Sequence, residues 1–196
     1  MTAGSEPVGT VTIEPMSEST RPIVHALFAG YFIEMAAWDP GLVINAHGVP
    51  TWAAFGLPGP RSLDECAPHN WWVRDQAQVF VVRLDGSPIG FAITATDPAI
   101  VPAGFDGELM DFYITPKARV PGVARRAAHL ALDTLHGRCL LYTLALNTRA
   151  QHFWRAVLGA RHAGAFDELP GATEFRFTEP AATEPPATEP AGPVPA

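Results

Sequence analysis

The order of apolar stretches along this chain predicts an α/β domain. One observation is "QVFVVRLDGSPIGFAITAT", Gln78 to Thr96, which reads as two strands joined at Asp85-Gly86. That dipeptide takes the positive φ angles of a tight hairpin turn. A second is "YITPKARVPGVARRAAHLALD", Tyr113 to Asp133, which passes from a strand through a turn into a helix. A third is "CLLYTLAL" followed at once by "NTRAQHFWRAVLG", a strand and then a helix. The 196 residues suffice for one domain with a sizeable core.

The elements follow in order. "VTIEPM", Val11 to Met16, alternates as a short strand. Ser19 and Thr20 can cap a helix that begins near Pro22, since proline is tolerated in a first helical turn. Val24, Leu27, Phe28, Tyr31, Met35 and Trp38 then share one helical face. Residues 39–70 are rich in Gly and Pro and read as loop and short helix over a pocket. After the hairpin, "ELMDFYIT" forms a strand from Glu108 to Thr115, ended by Pro116. A regular strand turns Leu109, Asp111 and Tyr113 one way and Glu108, Met110, Phe112 and Ile114 the other. A helix follows from Gly122 to His136, with Val123, Ala127, Leu130, Ala131, Thr134 and Leu135 on its apolar stripe. Cys139 to Leu146 reads as a buried strand, and residues 147–159 as a helix capped at its end by Gly159. "EFRFT", Glu174 to Thr178, closes the order as a last strand.

Composition narrows the partners. The chain is 47% hydrophobic and 17% charged, as soluble globular proteins are. A net charge of −7 argues against a broad nucleic-acid footprint, which needs a basic face, yet leaves room for a local anion site. No stretch approaches the ~18 apolar residues of a membrane span. The start lacks the basic and apolar regions of a secretory leader. Cys66 and Cys139 have no metal-like spacing, so reduced thiols in a cytoplasmic protein are expected, with no metal. Thr-Glu-Pro recurs at Thr178, Thr183 and Thr188, in a segment with almost no large apolar residue. The expected division is a flexible 1–9, a folded 10–178 and a disordered, polyproline-like 179–196.

The turn after Tyr113 favours an anion. The first amides of a helix lack internal acceptors and carry the positive end of the dipole. Gly122 and Ala124 let a ligand approach the backbone, and Arg119 offers a fork suited to phosphate. No acidic residue opposes this in the first turn. Neither the P-loop nor the three-glycine dinucleotide pattern is present.

Arg119-Val120-Pro121-Gly122-Val123-Ala124, together with Asn147-Thr148-Arg149-Ala150-Gln151-His152-Phe153-Trp154, resembles the two motifs of the GNAT superfamily of acyl-CoA-dependent N-acetyltransferases. Their order behind a hairpin containing "DGSPIGFAI" extends the resemblance over roughly residues 10–178, best between 78 and 159. It implies a mixed, mostly antiparallel sheet flanked by helices, with a V-shaped opening between strand Glu108–Thr115 and strand Cys139–Leu146. It also implies acetyl-CoA as co-substrate and an amine as acceptor. The pantetheine arm would pair with the backbone near Phe112 and Ile114. The pyrophosphate would rest on Val120, Gly122, Val123 and Ala124, with Arg119 adjacent. The thioester would lie near Tyr113 and Ile114, and Asn147 and Phe153 would border the coenzyme. Asn147 also reads directly as a helix N-cap. Members of the family often pair, so a homodimer is expected from the resemblance.

Two residues depart from the family pattern. Pro121 has no N–H to offer a phosphate. Trp154 stands where a tyrosine often serves as general acid, and indole does not supply that proton. On this resemblance, the base expected to deprotonate the amine is Glu108 or Asp111, both on the strand beside the expected thioester. His47 and His69 fall in the loop region, whereas His129 and His152 read as surface residues. Trp38, Trp52, Trp71 and Trp72 either line an apolar acceptor site or fill a core. Competing expectations are a longer acyl-CoA or carrier-protein donor, and a non-catalytic coenzyme-binding module.

Overall fold

A computed structural model describes residues 9–52, 59–62, 65, 76–171 and 173–181. Cys66, His69, Trp71 and Trp72, residues 1–8 and the tail beyond 181 lie outside the described residues.

The elements are β1 (Val11–Pro15), α1 (Arg21–Met35), β2 (Leu42–Ile44), β3 (Pro50–Trp52), β4 (Gln78–Leu84), β5 (Ser87–Ala95), β6 (Gly107–Ile114), α2 (Val123–Leu132), β7 (Gly137–Tyr142), α3 (Thr148–Arg161), β8 (Asp167–Glu168) and β9 (Glu174–Glu179). Seven strands form one sheet in the order β1-β4-β5-β6-β7-β9-β8. All neighbours are antiparallel except β6 and β7. This is the mixed, mostly antiparallel sheet expected.

Strand alternation distributes the core to both sheet faces. Val79 and Val81 of β4, with Phe91 and Ile93 of β5, pack under Val24, Phe28 and Phe32 of α1. Phe80 and Ala92 point the other way, toward Ala128, Ala131 and Leu132 of α2 and Trp154, Val157 and Leu158 of α3. Asp85, at φ 49°, and Gly86, at φ 78°, make the expected hairpin turn.

Several boundaries differ from the sequence reading. Helix α2 ends at Leu132 rather than His136, where the Thr134 hydroxyl donates to the Ala131 carbonyl at 2.8 Å and the last turn tightens. Strand β7 ends at Tyr142 rather than Leu146; the chain then turns toward α3, leaving Leu146 57% exposed. An apolar run alone does not mark where pairing stops. Gly159 lies inside α3, and the reversal comes later, at Ala163 (φ 52°) and Gly164 (φ 83°). Part of residues 39–70 is a small hairpin, β2 with β3, whose turn is held by Asn45 Oδ1 accepting from the His47 and Val49 amides. The last strand includes Glu179, expected to be tail but only 2% exposed. The Arg161 guanidinium holds its carboxylate inside the fold.

Candidate active site

Strands β6 and β7 pair only at Gly107–Cys139, Glu108–Leu140 and Leu109–Leu141. Beyond Leu109, β6 continues beside β5 alone while β7 runs out, and a cleft of about 580 Å³ opens between them. Residues 109–114 of β6 form one wall, and Tyr142, Thr143 and Leu144 form the other. Helix α1 borders it with Tyr31, Glu34 and Met35, and Trp38 follows just beyond the helix; α3 contributes Ala150, Phe153 and Trp154, with Asn147 at its cap.

The backbone edge of β6 is available to this cleft. The Thr115 amide donates to Ile89 of β5 at 2.7 Å, which fixes the alternation of the antiparallel ladder. Tyr113 and Asp111 therefore bond toward β5, and Phe112 and Ile114 turn their backbone groups to the cleft. An extended, amide-bearing ligand arm fits such an edge as an added strand.

A bulge in β6 changes which side chains share a face. Ile93 pairs with Asp111 and Thr94 with Leu109, so Met110 is the extra residue. Leu109 packs toward α2 and α3, while Met110 and Tyr113 pack toward α1. The regular alternation expected from sequence is thus corrected. Leu109 does not share a face with Asp111, and Glu108, opposite in parity to Leu109, stands on the same side as Asp111.

The two carboxylates differ in setting. Asp111 lines the cleft and accepts a hydrogen bond from the Tyr31 hydroxyl. Burial pushes its pKa up to about 7; the Tyr31 bond opposes the rise and the Glu108 charge adds to it. Glu108 is 8% exposed, is not among the cleft-lining residues, and is also raised by burial.

The expected anion turn closes one end of the cleft. Gly122 is the N-cap of α2 at φ 87°, a conformation glycine takes without a Cβ penalty. Arg119, Val120, Pro121, Gly122, Ala124 and Arg125 line the cleft, and the first turn of α2 holds no acidic residue. The Val123 side chain is buried in the core, and its amide donates to the Val120 carbonyl at 3.3 Å. The Ala124 and Arg125 amides, at the start of the helix, have no intrahelical acceptor. Arg119 is tied to protein: Nε donates to the Ile114 carbonyl at 2.7 Å, and one terminal nitrogen to Glu34 Oε2 at 2.7 Å. Its guanidinium also lies over the Tyr113 ring, 5.6 Å from the centroid.

Sequence reasoning places Tyr31 on an apolar face and does not single out Glu34, Arg125 or Arg149, yet all four line the cleft. Glu34 also accepts from the Tyr113 hydroxyl at 3.3 Å, and a Cβ on Gly30 would meet that hydroxyl at 3.0 Å. The helical spacing of Tyr31, Glu34, Met35 and Trp38 is the signal that could have found the α1 members. The cleft wall thus carries Glu34 of α1 and Asp111 of β6 together with Arg125 and Arg149 from the first turns of α2 and α3, and Glu34 is paired with Arg119 of the turn.

Asn147 caps α3 through Oδ1, accepting from the Ala150 amide at 3.0 Å, and borders the cleft. Phe153 stacks on Phe112, 5.9 Å between centroids, and Trp154 packs edge-on to Phe112 at 5.3 Å. His47 and His152 are exposed, and His129 is half-buried on α2; none of the three lines the cleft. Trp52 is half-buried on β3, with its indole N–H donating to Asp39 at 3.0 Å, whereas Trp38 faces the cleft. Among the described residues, no group of three or more His, Cys, Asp or Glu is placed to hold a metal, and no helix is long and apolar enough to cross a membrane.

A model of the acetyltransferase (GNAT) family matches residues 50–160. An acetyltransferase structure from Thermus thermophilus is similar at TM-score 0.56 and 18% identity, covering 89% of this chain and 99% of that one. A structure described as histone acetyltransferase HPA2 and related acetyltransferase, from Corynebacterium glutamicum, is similar at TM-score 0.57 and 16% identity, covering 89% and 98%. An aminoglycoside acetyltransferase AAC(6')-Ib, solved with coenzyme A and kanamycin, is similar at TM-score 0.54 and 14% identity, covering 86% and 95%. At these identities the likeness is one of fold. No curated protein matches the chain in sequence.

Proposed function

The chain belongs to the GNAT family of acyl-CoA-dependent acyltransferases, and from that premise we propose that it moves an acetyl group from acetyl-CoA to a primary amine, with Asp111 as general base. The observation that carries this reading is Asp111 itself: a carboxyl on the cleft wall, with a pKa of about 7, next to the free edge of β6. A base with that affinity for protons is half-ionised near neutral pH and strong enough to deprotonate an approaching ammonium.

The residues present fit the coenzyme. The backbone of Phe112 and Ile114 takes the pantetheine arm. The turn at Val120, Gly122 and Ala124 takes the pyrophosphate at the α2 N-terminus, with Arg125 beside it in the first turn of that helix and Arg149 of α3 also on the cleft wall. Arg119 holds that turn against β6 and α1. The Ile114 amide is the donor for the thioester oxygen as charge develops there. The acceptor enters beside α1, its nitrogen losing a proton to Asp111 and attacking the thioester carbonyl. The carbon–sulfur bond then breaks, the nitrogen gives up its second proton to water, and the thiolate takes its proton from water. Trp154 is packed into the core and has no proton to give.

A longer acyl-CoA or a carrier-protein thioester is the competing donor, favoured by the engagement of Arg119 with Glu34 and by the missing N–H of Pro121. The test is a thermal-shift titration with acetyl-CoA, free CoA and longer acyl-CoAs, followed by acetyl transfer to a panel of amines. A ligand at ~100 times its dissociation constant adds about 2.7 kcal/mol. Saturable stabilisation by acetyl-CoA with CoA release on adding amine is expected. Stabilisation without release across the panel would leave a coenzyme-binding module, and no response to any CoA would point to the carrier-protein donor.

A further inference from the structure

We propose that Tyr31 of α1 is the positioning residue of Asp111, its hydroxyl holding the carboxylate in the orientation from which it takes the acceptor's proton. This rests on the reading of Asp111 as base.

Tyr31 donates directly to Asp111 Oδ1 from a helix 80 residues earlier in the chain. Its ring is fixed on three sides: edge-on to Phe28 at 5.4 Å, edge-on to Phe91 at 5.5 Å, and against Tyr113 at 5.7 Å. A phenol so clamped cannot follow a rotating carboxylate, so the bond selects one rotamer of Asp111. It also leaves Oδ2 as the oxygen without this donor, on a residue that borders the cleft. A phenol bears no charge, so it orients the carboxylate without neutralising it, as a guanidinium would. Hydrogen bonding to the ionised form keeps Asp111 from being too readily protonated, against burial and the Glu108 charge, which act the other way. Tyr31 itself stays protonated, its pKa raised well above the usual phenol value by burial and by Asp111.

The other charged or titratable groups around the pair are Glu34 on α1, Asp39 just beyond it, Glu108 and Tyr113 on β6, and Arg119 on the turn. Arg119 is committed to Glu34 and the Ile114 carbonyl. Tyr113 points its hydroxyl at Glu34. The hydrogen bond that reaches the Asp111 carboxylate from this surrounding comes from Tyr31.

The experiment compares wild type with Tyr31→Phe, which keeps the ring and its packing. It has two readouts: the pH profile of kcat/KM for acetyl transfer, and the titration of the Asp111 carboxyl by ¹³C NMR in the folded protein, assigned with Asp111→Asn. Loss of one hydrogen bond to an ionised group is expected to move both midpoints upward by about one to two pH units, with acetyl-CoA affinity unchanged. Overlapping NMR midpoints for wild type and variant would overturn the proposal. So would a moved NMR midpoint with an unmoved kinetic profile, because the link would then be structural only. Absence of turnover in the wild type is a different failure: it sinks the amine-acetylation reading and, with it, any catalytic part for Tyr31.

Discussion

Two carboxylates of this fold, one on β6 and one on β9, meet opposite partners. Glu179, on the last strand, has a side chain with no exposed surface and is gripped by Arg161, whose Nε lies 2.8 Å and terminal nitrogen 2.7 Å from its oxygens. Asp111, at the cleft, is met by an uncharged phenol, with a second acid, Glu108, close enough to raise it. A guanidinium fork holds the carboxylate in place and makes the group a structural clasp between α3 and β9. A phenol orients the group and leaves its proton affinity near neutrality. What separates a clasp from a base is therefore the charge of the partner, since both groups are withdrawn from water.

The largest effect expected from breaking this contrast is on turnover. Asp111→Asn should lower kcat/KM by a factor on the order of 10²–10⁴ while acetyl-CoA still binds. Stability should respond in the other direction. The folded pKa of Asp111 is raised from 3.8 to about 7, so the folded state holds the proton more tightly than the unfolded chain. Its stabilising contribution is full below the unfolded value and is lost as pH rises through about 7. Relative to wild type, the Asn variant should gain stability between about pH 4 and about pH 8, by a few kcal/mol at most. Chemical denaturation across that range checks the sign; a variant that loses ground as pH rises would show that Asp111 is held ionised, as a clasp.

At Glu179 the expected loss is in stability alone. Glu179→Ala leaves Arg161 largely buried with only Asp133, 2.7 Å away and itself exposed, for an acidic partner among the described residues. Removing one member of a buried pair costs about 3 kcal/mol or more. The specific activity of the folded fraction should be unchanged. Urea unfolding with parallel rate measurements separates the two. A loss of activity without a loss of stability would mean that Glu179 communicates with the cleft and is no mere clasp.

The same contrast explains what could be read from the sequence. The Asp85-Gly86 turn and the Asn147 cap were legible because their hydrogen bonds close within a few residues. The turn at Gly122 was legible for the same reason. The bulge at Met110 was not, because nothing in Glu-Leu-Met-Asp-Phe-Tyr-Ile is a turn residue; the extra residue exists only in register against β5. The partnerships of Tyr31 with Asp111, Glu34 with Arg119 and Arg161 with Glu179 span 80, 85 and 18 residues, and only the packed fold brings them together. Glu179 was further disguised by Thr178-Glu179-Pro180, which shares its letters with the repeats of the tail. Local propensity could not show that this copy pairs, with Gly137 across the ladder.

A third carboxylate sharpens the comparison with the smallest expected effect. Glu168 and Arg155 repeat the fork seen at Glu179, with Nε and a terminal nitrogen 2.8 Å and 2.6 Å from the two oxygens. The arginine side chain is 42% exposed and the glutamate 27%, so water and salt screen the pair. The fork lowers the pKa of Glu168, chiefly through the Arg155 hydrogen bonds, so any stabilisation is present above the usual carboxylate range and is lost on acidification. Glu168→Gln should shift Tm by about a degree at most at neutral pH, and the shift should fade at low pH and in high salt. If it instead matched the loss at Glu179, fork geometry rather than burial would set the strength of these clasps. The contrast between Asp111 and Glu179 would then rest on donor shape as much as on donor charge.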